Sequence, residues 1–236
     1  MNMLTWLPRR RPLLTTQQLA RREPVQSAPQ PAEHLLLQHD RLIVLDLETS
    51  GLNVYRDQVL SIGAVAIEFN AIDMGQQFEC TLFRPGHKVT EAVLLHGIAP
   101  SEIALGRAAA DGLLDFLEFA QSSPVFAFHA PFDQRMLSRS LRQDVGMRLQ
   151  LSFIDVAEMA PMLCPDASVG RGGLDDWLRH FNLNNSERHN AAADAQATAE
   201  LLLILLSKAS QQGIQTLSEL TTRLGHWRRL QQSRAV

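Results

Sequence analysis

A chain of 236 residues is long enough for one domain of ordinary size with a buried core, plus an appendage. Hydrophobic residues make up 45% and charged residues 20%, which is typical of a globular protein and excludes a largely disordered one. The net charge of −3 provides no strong positive field, which argues against a protein that coats long nucleic acid.

The cysteines and the apolar runs favour a soluble cytoplasmic protein. Cys80 and Cys164 lie far apart and lack metal-ligand spacing. A disulfide is left open, but two reduced thiols are the simpler interpretation. The longest apolar run, residues 201–206, is far too short to span a membrane. Prolines between Pro8 and Pro12 interrupt the N-terminus before any long apolar segment, so no secretory signal is expected.

Residues 1–38 form a basic extension that contains several prolines. Its arginines are Arg9, Arg10, Arg11, Arg21 and Arg22, and Pro24, Pro29 and Pro31 indicate a linker near its end. A short helix is compatible with residues 15–22. A solvated tail is the simplest interpretation. The alternative is an arm that docks on a partner or on nucleic acid.

From residue 39 the hydrophobic pattern predicts strands and helices. Strands are predicted at 41–47, 58–68, 76–83, 124–128 and 151–156, the first three as an antiparallel meander because their connections are short. Helices are predicted at 91–95, 108–120, 132–144, 174–181, 191–208 and 216–230. This order predicts an α/β domain over 39–210, with a mixed five-stranded sheet flanked by helices. An amphipathic C-terminal helix within 211–236 packs on that domain or extends it.

Two acidic residues stand at the end of the first predicted strand. Asp46 and Glu48 are two positions apart, so their carboxylates project from the same face, while Leu45 and Leu47 face the core on the other side. Two crowded carboxylates repel each other unless a cation lies between them, and their oxygens suit Mg²⁺ or Mn²⁺. By themselves the two residues are equally compatible with a strand that runs into a polar turn.

Two later acids and a histidine complete a candidate site. Asp133 follows a predicted strand and begins a helix, where an acid is also a common stabilising charge. Asp194 stands among alanines that let its helix pack close to the sheet. His189 is five positions earlier, about 140° away on a regular helix, so we expect it in the loop before the helix, reaching across as a candidate base.

These residues, in this order, resemble the three motifs of the DEDDh exonuclease family. The motifs are Asp46-x-Glu48, Phe132-Asp133, and His189-x-Ala191-x-x-Asp194-Ala195, and residues 46–52 and 95–98 match as well. The family includes the epsilon proofreading subunit of bacterial DNA polymerase III, RNase T and the oligoribonucleases. The resemblance covers residues 42–206. One position departs from it: His129 stands where the family usually has Asn, which puts any substrate contact of that residue in question.

The resemblance implies a ribonuclease H-like fold, two bound Mg²⁺ or Mn²⁺ ions, and the release of nucleoside 5′-monophosphates from 3′ ends. On this basis we expect Asp46 to bridge the two ions, Glu48 and Asp194 to complete one metal site, and Asp133 to act at the other. His189 is expected to take the proton from the attacking water. The expected contacts of the terminal nucleotide are Thr49, Ser50, Gly51, Leu52, His96 and Phe132.

The expected substrate is the 3′ end of a nucleic acid, most simply a single strand. DNA, in proofreading or repair, is favoured because Thr49-Ser50-Gly51 looks more like the epsilon type than the oligoribonuclease type. An RNA-trimming exoribonuclease of the same chemistry is the alternative, since the 2′-hydroxyl is recognised by pocket shape. A non-catalytic nucleic-acid-binding module is a more distant one. The C-terminal region shows no clear sliding-clamp peptide, and the sequence identifies no protein partner.

Overall fold

A mixed sheet forms the centre of the fold. The computed structural model describes residues 12–87, 96–185 and 188–234. Within these ranges the sheet has six strands: β1 (Leu42–Thr49), β2 (Val59–Glu68), β3 (Ala71–Phe83), β4 (Arg107–Ala108), β5 (Val125–Ala127) and β6 (Phe153–Asp155). Their order is β4-β3-β2-β1-β5-β6. β1, β2 and β3 are antiparallel neighbours, as predicted, whereas β5 and β6 continue from β1 in parallel.

The prediction of five strands is wrong by one. β4 has only two residues, too few to show an alternating pattern in the sequence, and it pairs with the end of β3. β3 also begins earlier than residue 76, because Phe69 and Asn70 have φ values of 50° and 59°. Two successive positive φ values make a tight hairpin turn that lets pairing start at Ala71.

The described residues form eight α-helices: α1 (Thr16–Gln26), α2 (Pro100–Ala104), α3 (Ala109–Ala120), α4 (Ala130–Ser140), α5 (Val156–Leu163), α6 (Leu174–His180), α7 (Ala191–Gln211) and α8 (Leu217–Arg234). A π-helical turn, Leu141–Val145, extends α4. α2 and α5 were not predicted. α5 is short and contains Pro161, which conceals its helical character in the sequence. The predicted helix at 91–95 lies outside the described residues.

Side chains of β1 point alternately into two separate layers of the apolar core. Leu42 and Val44 face a layer that contains α5, α6, α7 and α8. Ile43, Leu45 and Leu47 face a second layer, built mainly from α3 and α4, as expected for Leu45 and Leu47. Asp46 and Glu48 continue the row of Leu42 and Val44, so their side chains project on the face that α7 covers.

The N-terminal extension packs against the domain. In α1, Arg21 forms ion pairs with Asp111, Asp115 and Glu118 of α3, the shortest two being 2.5 and 2.7 Å. Backbone hydrogen bonds then join residues 33–37 to residues 215–218 at the start of α8. The interpretation of a solvated tail is therefore wrong for α1 and for residues 33–37, which contact the domain. None of the described helices is long and apolar enough to cross a membrane.

Candidate active site

Three carboxylates converge at the end of β1. One oxygen from each of Asp46, Glu48 and Asp194 lies within 4.8 Å of the others. β1 supplies the first two residues, and the first turn of α7 supplies the third. Residues that are 146 positions apart in the sequence thus form one acidic cluster, as the motif pattern predicted.

A glycine on β2 allows α7 to approach this point. Gly63 is the direct partner of Asp46 in the β1–β2 ladder. A Cβ atom at residue 63 would overlap the backbone of Ala191 and Ala192, far inside the 3.0 Å limit that real Cβ atoms respect. The N-terminus of α7 therefore rests on the bare backbone of β2, which places Asp194 beside Asp46. Sequence reasoning did not identify Gly63, whose only signal is a glycine inside an otherwise apolar strand.

Asp133 lies next to this cluster without belonging to it. It is in the first turn of α4, directly after β5, and only 4% of it is exposed. Because β5 is parallel to β1, the two strands end at the same edge of the sheet. Burial, and next the charge of Asp46, raise the pKa of Asp133 well above its usual value. Asp133, the fourth predicted acid, is therefore in electrostatic contact with Asp46 and Glu48.

Two carboxylates of the cluster, those of Asp46 and Glu48, have raised pKa values. Burial, followed by the neighbouring Asp194, raises the pKa of Asp46 to about 7. Burial, followed by Asp46 and Asp194, raises the pKa of Glu48 to about 8. Groups whose mutual repulsion opposes ionisation gain most from a cation placed among them. An all-carboxylate donor set of this kind fits a hard divalent cation such as Mg²⁺ or Mn²⁺.

Asp194 is held by three donors that precede it in the chain. Its Oδ1 accepts hydrogen bonds from Asn185 Nδ2 and Arg188 Nη1, both at 2.5 Å, and its Oδ2 accepts from the backbone N of His189 at 3.1 Å. Arg188 also pairs with Asp175 at 2.6 Å. Asn185 and Arg188 were not predicted as site residues. The signal for Arg188 was its place directly before His189.

His189 lies in the loop before α7, as expected, with a φ of 67°. It is exposed, and Asn190 caps the helix that follows by accepting from Ala193 N at 2.9 Å. Burial, followed by the charges of His87 and His189, lowers the pKa of His96. His96, one of the residues predicted to contact substrate, is therefore within electrostatic range of His189.

Four more of the predicted substrate contacts lie at the last residue of β1 and in the loop that follows it. The Thr49 side chain is buried and donates to the carbonyl of Gly51 at 3.0 Å. Ser50 pairs with Gln58 through its backbone and through its hydroxyl, which closes the loop. A Cβ atom at Gly51 would lie 2.5 Å from Asp57 Oδ2, so a side chain there would disturb the loop.

Leu52 and Phe132 have different environments. Leu52 is 85% exposed, so ordinary core packing does not explain it. Phe132 is partly buried and packs against the apolar layer of α3 and α4. Contact with this apolar layer is therefore at least part of the role of the Phe132 side chain.

The turn between β5 and α4 is fixed by a buried acid that sequence reasoning missed. Asp155, at the end of β6, accepts hydrogen bonds at Oδ1 from the backbone N atoms of His129 (3.0 Å), Ala130 (3.3 Å) and Ala157 (3.0 Å). His129 has a φ of 65° and a ψ of 41°, in the left-handed region. One carboxylate thus ties together the connections that follow β5 and β6.

Known structures establish the fold class. Exonuclease I from E. coli, in complex with a dT13 oligonucleotide, aligns with a TM-score of 0.62 at 15% identity, covering 74% of this chain and 42% of that one. Exonuclease X in complex with 5′ overhanging duplex DNA aligns with a TM-score of 0.57 at 20% identity, covering 72% and 93%. The fold is therefore the ribonuclease H-like α/β fold that was predicted.

Sequence comparison establishes the family. Residues 43–202 match the RNase_T exonuclease family, and the chain belongs to that family. Its domain is a DnaQ-like 3′–5′ exonuclease domain. The PolC-type DNA polymerase III of Bacillus subtilis is 28% identical over 206 residues, which are 86% of this chain. The chain spans only 14% of the length of that relative.

Proposed function

We propose that this protein is a metal-dependent 3′–5′ exonuclease that releases nucleoside 5′-monophosphates from the ends of DNA strands. The observation that carries the proposal is the convergence of Asp46, Glu48 and Asp194 within 4.8 Å, with Asp133 in electrostatic contact. His189 stands in the loop that leads directly to Asp194. This collection of groups fits hydrolysis of a phosphodiester, in which negative charge accumulates on the attacking and leaving oxygens.

The four carboxylates are the proposed metal ligands. Asp46 would be shared by two divalent cations, Glu48 and Asp194 would complete one site, and Asp133 would serve the other. Bound Mg²⁺ or Mn²⁺ supplies positive charge that stabilises the attacking and leaving oxygens of an in-line displacement. The raised pKa values of Asp46 and Glu48 support this assignment. They mean that the positive charge nearby in the protein is too small to offset burial and the repulsion between the carboxylates.

The remaining residues position groups and move the proton. The imidazole of His189 is proposed to take the proton of the attacking water, and its exposure leaves it open to solvent and substrate. Asn185 and Arg188 would orient the carboxylate of Asp194 through the hydrogen bonds described above. Fixed orientation matters because a displacement of about 1 Å in a reacting group costs roughly 10²-fold in rate.

The proposed contacts of the terminal nucleotide surround the end of β1. Thr49, Ser50 and Gly51 form a hydrogen-bonded loop there, and the exposed Leu52 is available to pack against a base. His96 and Phe132 complete the set, the first within electrostatic range of His189 and the second directly before Asp133 in the chain.

DNA is the proposed substrate class, with single-stranded 3′ ends preferred. In support, the PolC-type relative is named a DNA polymerase, and exonuclease I and exonuclease X have been solved with DNA. Trimming of RNA by the same chemistry is the second candidate, since it requires the same catalytic groups.

Hydrolysis of labelled strands tests the proposal. The full chain should release mononucleotides from a single-stranded DNA oligomer with Mg²⁺ or Mn²⁺ and stop when EDTA is added. A matched RNA oligomer should react more slowly. Asp46→Ala should abolish hydrolysis, whereas Asp166→Ala, an exposed aspartate on the surface, should not change it. Equal activity of Asp46→Ala and the unsubstituted protein would refute the proposed site.

A second pair of variants tests the base. His189→Ala should lower kcat by roughly 10²–10⁴-fold while Mn²⁺ still binds, as measured by calorimetry. His189→Gln, which keeps a polar side chain of similar reach, should be equally impaired because it cannot accept the proton. Wild-type kcat in either variant would remove His189 from the mechanism.

A further inference from the structure

A groove with a row of arginines lies along α4, the helix whose first turn carries Asp133. Its volume is about 400 Å³, and its walls are one face of α4 with the π-helical turn, the tip of the β1–β2 loop, and the segment before β6. The residues that line it include one aromatic side chain, Tyr55, and three arginines, Arg135, Arg139 and Arg142. None of the described residues that line it is acidic.

Two of the arginines are available to bind an anion. Arg135 and Arg142 are exposed, and within residues 12–87, 96–185 and 188–234 neither forms an ion pair. The nearby carboxylate of Asp144 is already paired with Arg84 at 2.8 Å. Because the chain as a whole carries a net charge of −3, this row is a local positive feature and not part of a general basic surface.

The third arginine, Arg139, holds the loop that forms the opposite wall of the groove. Arg139 Nη1 donates to the backbone carbonyls of Val54 at 3.3 Å and of Asp57 at 2.6 Å. These bonds fasten the tip of the β1–β2 loop to α4. Tyr55 at that tip is 87% exposed, with its backbone N held by Asn53 Oδ1 at 3.0 Å. A fixed loop that presents an exposed aromatic ring opposite a row of guanidinium groups suits stacked bases on one side and phosphates on the other.

The direction of the groove follows from α4. The helix begins beside the acidic cluster with Asp133 and continues to Arg135 and then Arg142. Seven residues of helix span about 10 Å. Two guanidinium groups separated by about 10 Å along the helix can contact different phosphates of one strand.

From this arrangement we infer that Tyr55, Arg135 and Arg142 form a binding site for the single strand upstream of the terminal nucleotide. The inference rests on the proposed function, because it assumes that the strand end lies at the acidic cluster. The arginines bind backbone phosphates without regard to sequence, and Tyr55 stacks on a base. The site holds the strand between successive cleavage steps.

Two substrates of different length separate this site from the catalytic one. The p-nitrophenyl ester of thymidine 5′-monophosphate reaches only the catalytic groups, whereas a DNA oligomer of about 20 nucleotides also reaches the groove. In the double variant Arg135→Glu/Arg142→Glu, KM for the oligomer should rise at least about tenfold, and the slope of log KM against log salt concentration should fall by about 2. Hydrolysis of the ester should not change.

Matched variants control for charge and for the ring. Arg223→Glu also reverses a positive charge, but on the exposed face of α8 and outside the groove. It should leave KM near the wild-type value. Tyr55→Ala should weaken binding of the oligomer roughly 5- to 150-fold, and Tyr55→Phe should restore most of it because stacking needs only the ring. Equal melting temperatures would show that these exposed substitutions leave the fold intact.

Direct binding distinguishes failure of this inference from failure of the proposed function. A fluorescein-labelled oligomer is titrated with the Asp46→Ala variant, with and without the two groove substitutions, and anisotropy is recorded. Weaker binding in the presence of the groove substitutions supports the inference whatever the catalytic rate. If the double variant binds and degrades the oligomer as Arg223→Glu does, the inference is wrong even when the ester assay confirms catalysis.

Discussion

Replacing Gly63 by Ala should damage the proposed active site from a position that carries no functional group. Gly63 lies opposite Asp46 in the β1–β2 ladder, and the backbone of Ala191 and Ala192 rests directly on it. A Cβ atom there would lie about 1 Å or more inside the ordinary contact distance of 3.4 Å. The atoms that it meets belong to backbone, so no side-chain rotation can relieve the overlap.

The magnitude follows from that displacement. The N-terminus of α7 must move away from β2 by about 1 Å, and Asp194 moves with it. Overpacking of this kind costs roughly 1–3 kcal/mol in the free energy of unfolding. A shift of about 1 Å in a positioned ligand lowers kcat by roughly 10²-fold. Both losses should therefore appear in Gly63→Ala, with the catalytic loss persisting at temperatures where the protein is still folded.

Urea denaturation and mononucleotide release measure the two effects. Gly75→Ala is the matched control, since Gly75 is also in a strand, and the atom nearest to its added Cβ is Asp73 Oδ1 at 3.2 Å, on a side chain that can move. The control should keep its activity. If Gly63→Ala kept wild-type kcat and stability, the contact between β2 and α7 would not be what places Asp194.

Three other predictions concern charge and anchoring. In the metal-free protein, burial and mutual repulsion raise the pKa values of Asp46 and Glu48 to about 7 and about 8, so the folded state binds more protons than the unfolded chain. Urea denaturation in EDTA should therefore show stability falling as pH rises from about 4 to about 8. A rise would contradict the assignment. Arg139→Ala removes two bonds to loop carbonyls and should cost about 1.5–3 kcal/mol by the same assay, whereas no loss would mean that the loop is held otherwise. Arg21→Ala should cost no more than about 1 kcal/mol, because the network is partly exposed, but should speed proteolysis within α1; unchanged cleavage would contradict its anchoring role.

Local patterns were sufficient to predict the parts of the fold that depend on neighbouring residues. The alternation of β1 predicted that Leu45 and Leu47 face one side and that Asp46 and Glu48 project together on the other. The separation of about 140° between His189 and Asp194 on a regular helix predicted that His189 lies in a loop.

Contacts between distant segments were not predictable in this way. Gly63 meets Ala191 across 128 positions, and nothing near Gly63 indicates which helix will cover it. Arg21 pairs with acidic residues of α3 that are at least 90 positions away in the chain. Nothing near Arg21 in the sequence indicates these partners, so its segment was interpreted from its composition as a solvated tail. Asp155 was assigned only to a strand, since two of its three donors, His129 N and Ala130 N, become neighbours only when β5 and β6 pair.

The backbone at His129 explains why the family motif tolerates an exchange there. A left-handed residue with a side chain is uncommon, and Asn, Asp and His are the types found in that conformation most often. Both His and the usual Asn therefore satisfy the same steric demand, while the hydrogen bond to Asp155 uses only the peptide nitrogen. The requirement that this corner places on residue 129 is thus a permitted dihedral angle and a free peptide N–H, and neither depends on the imidazole.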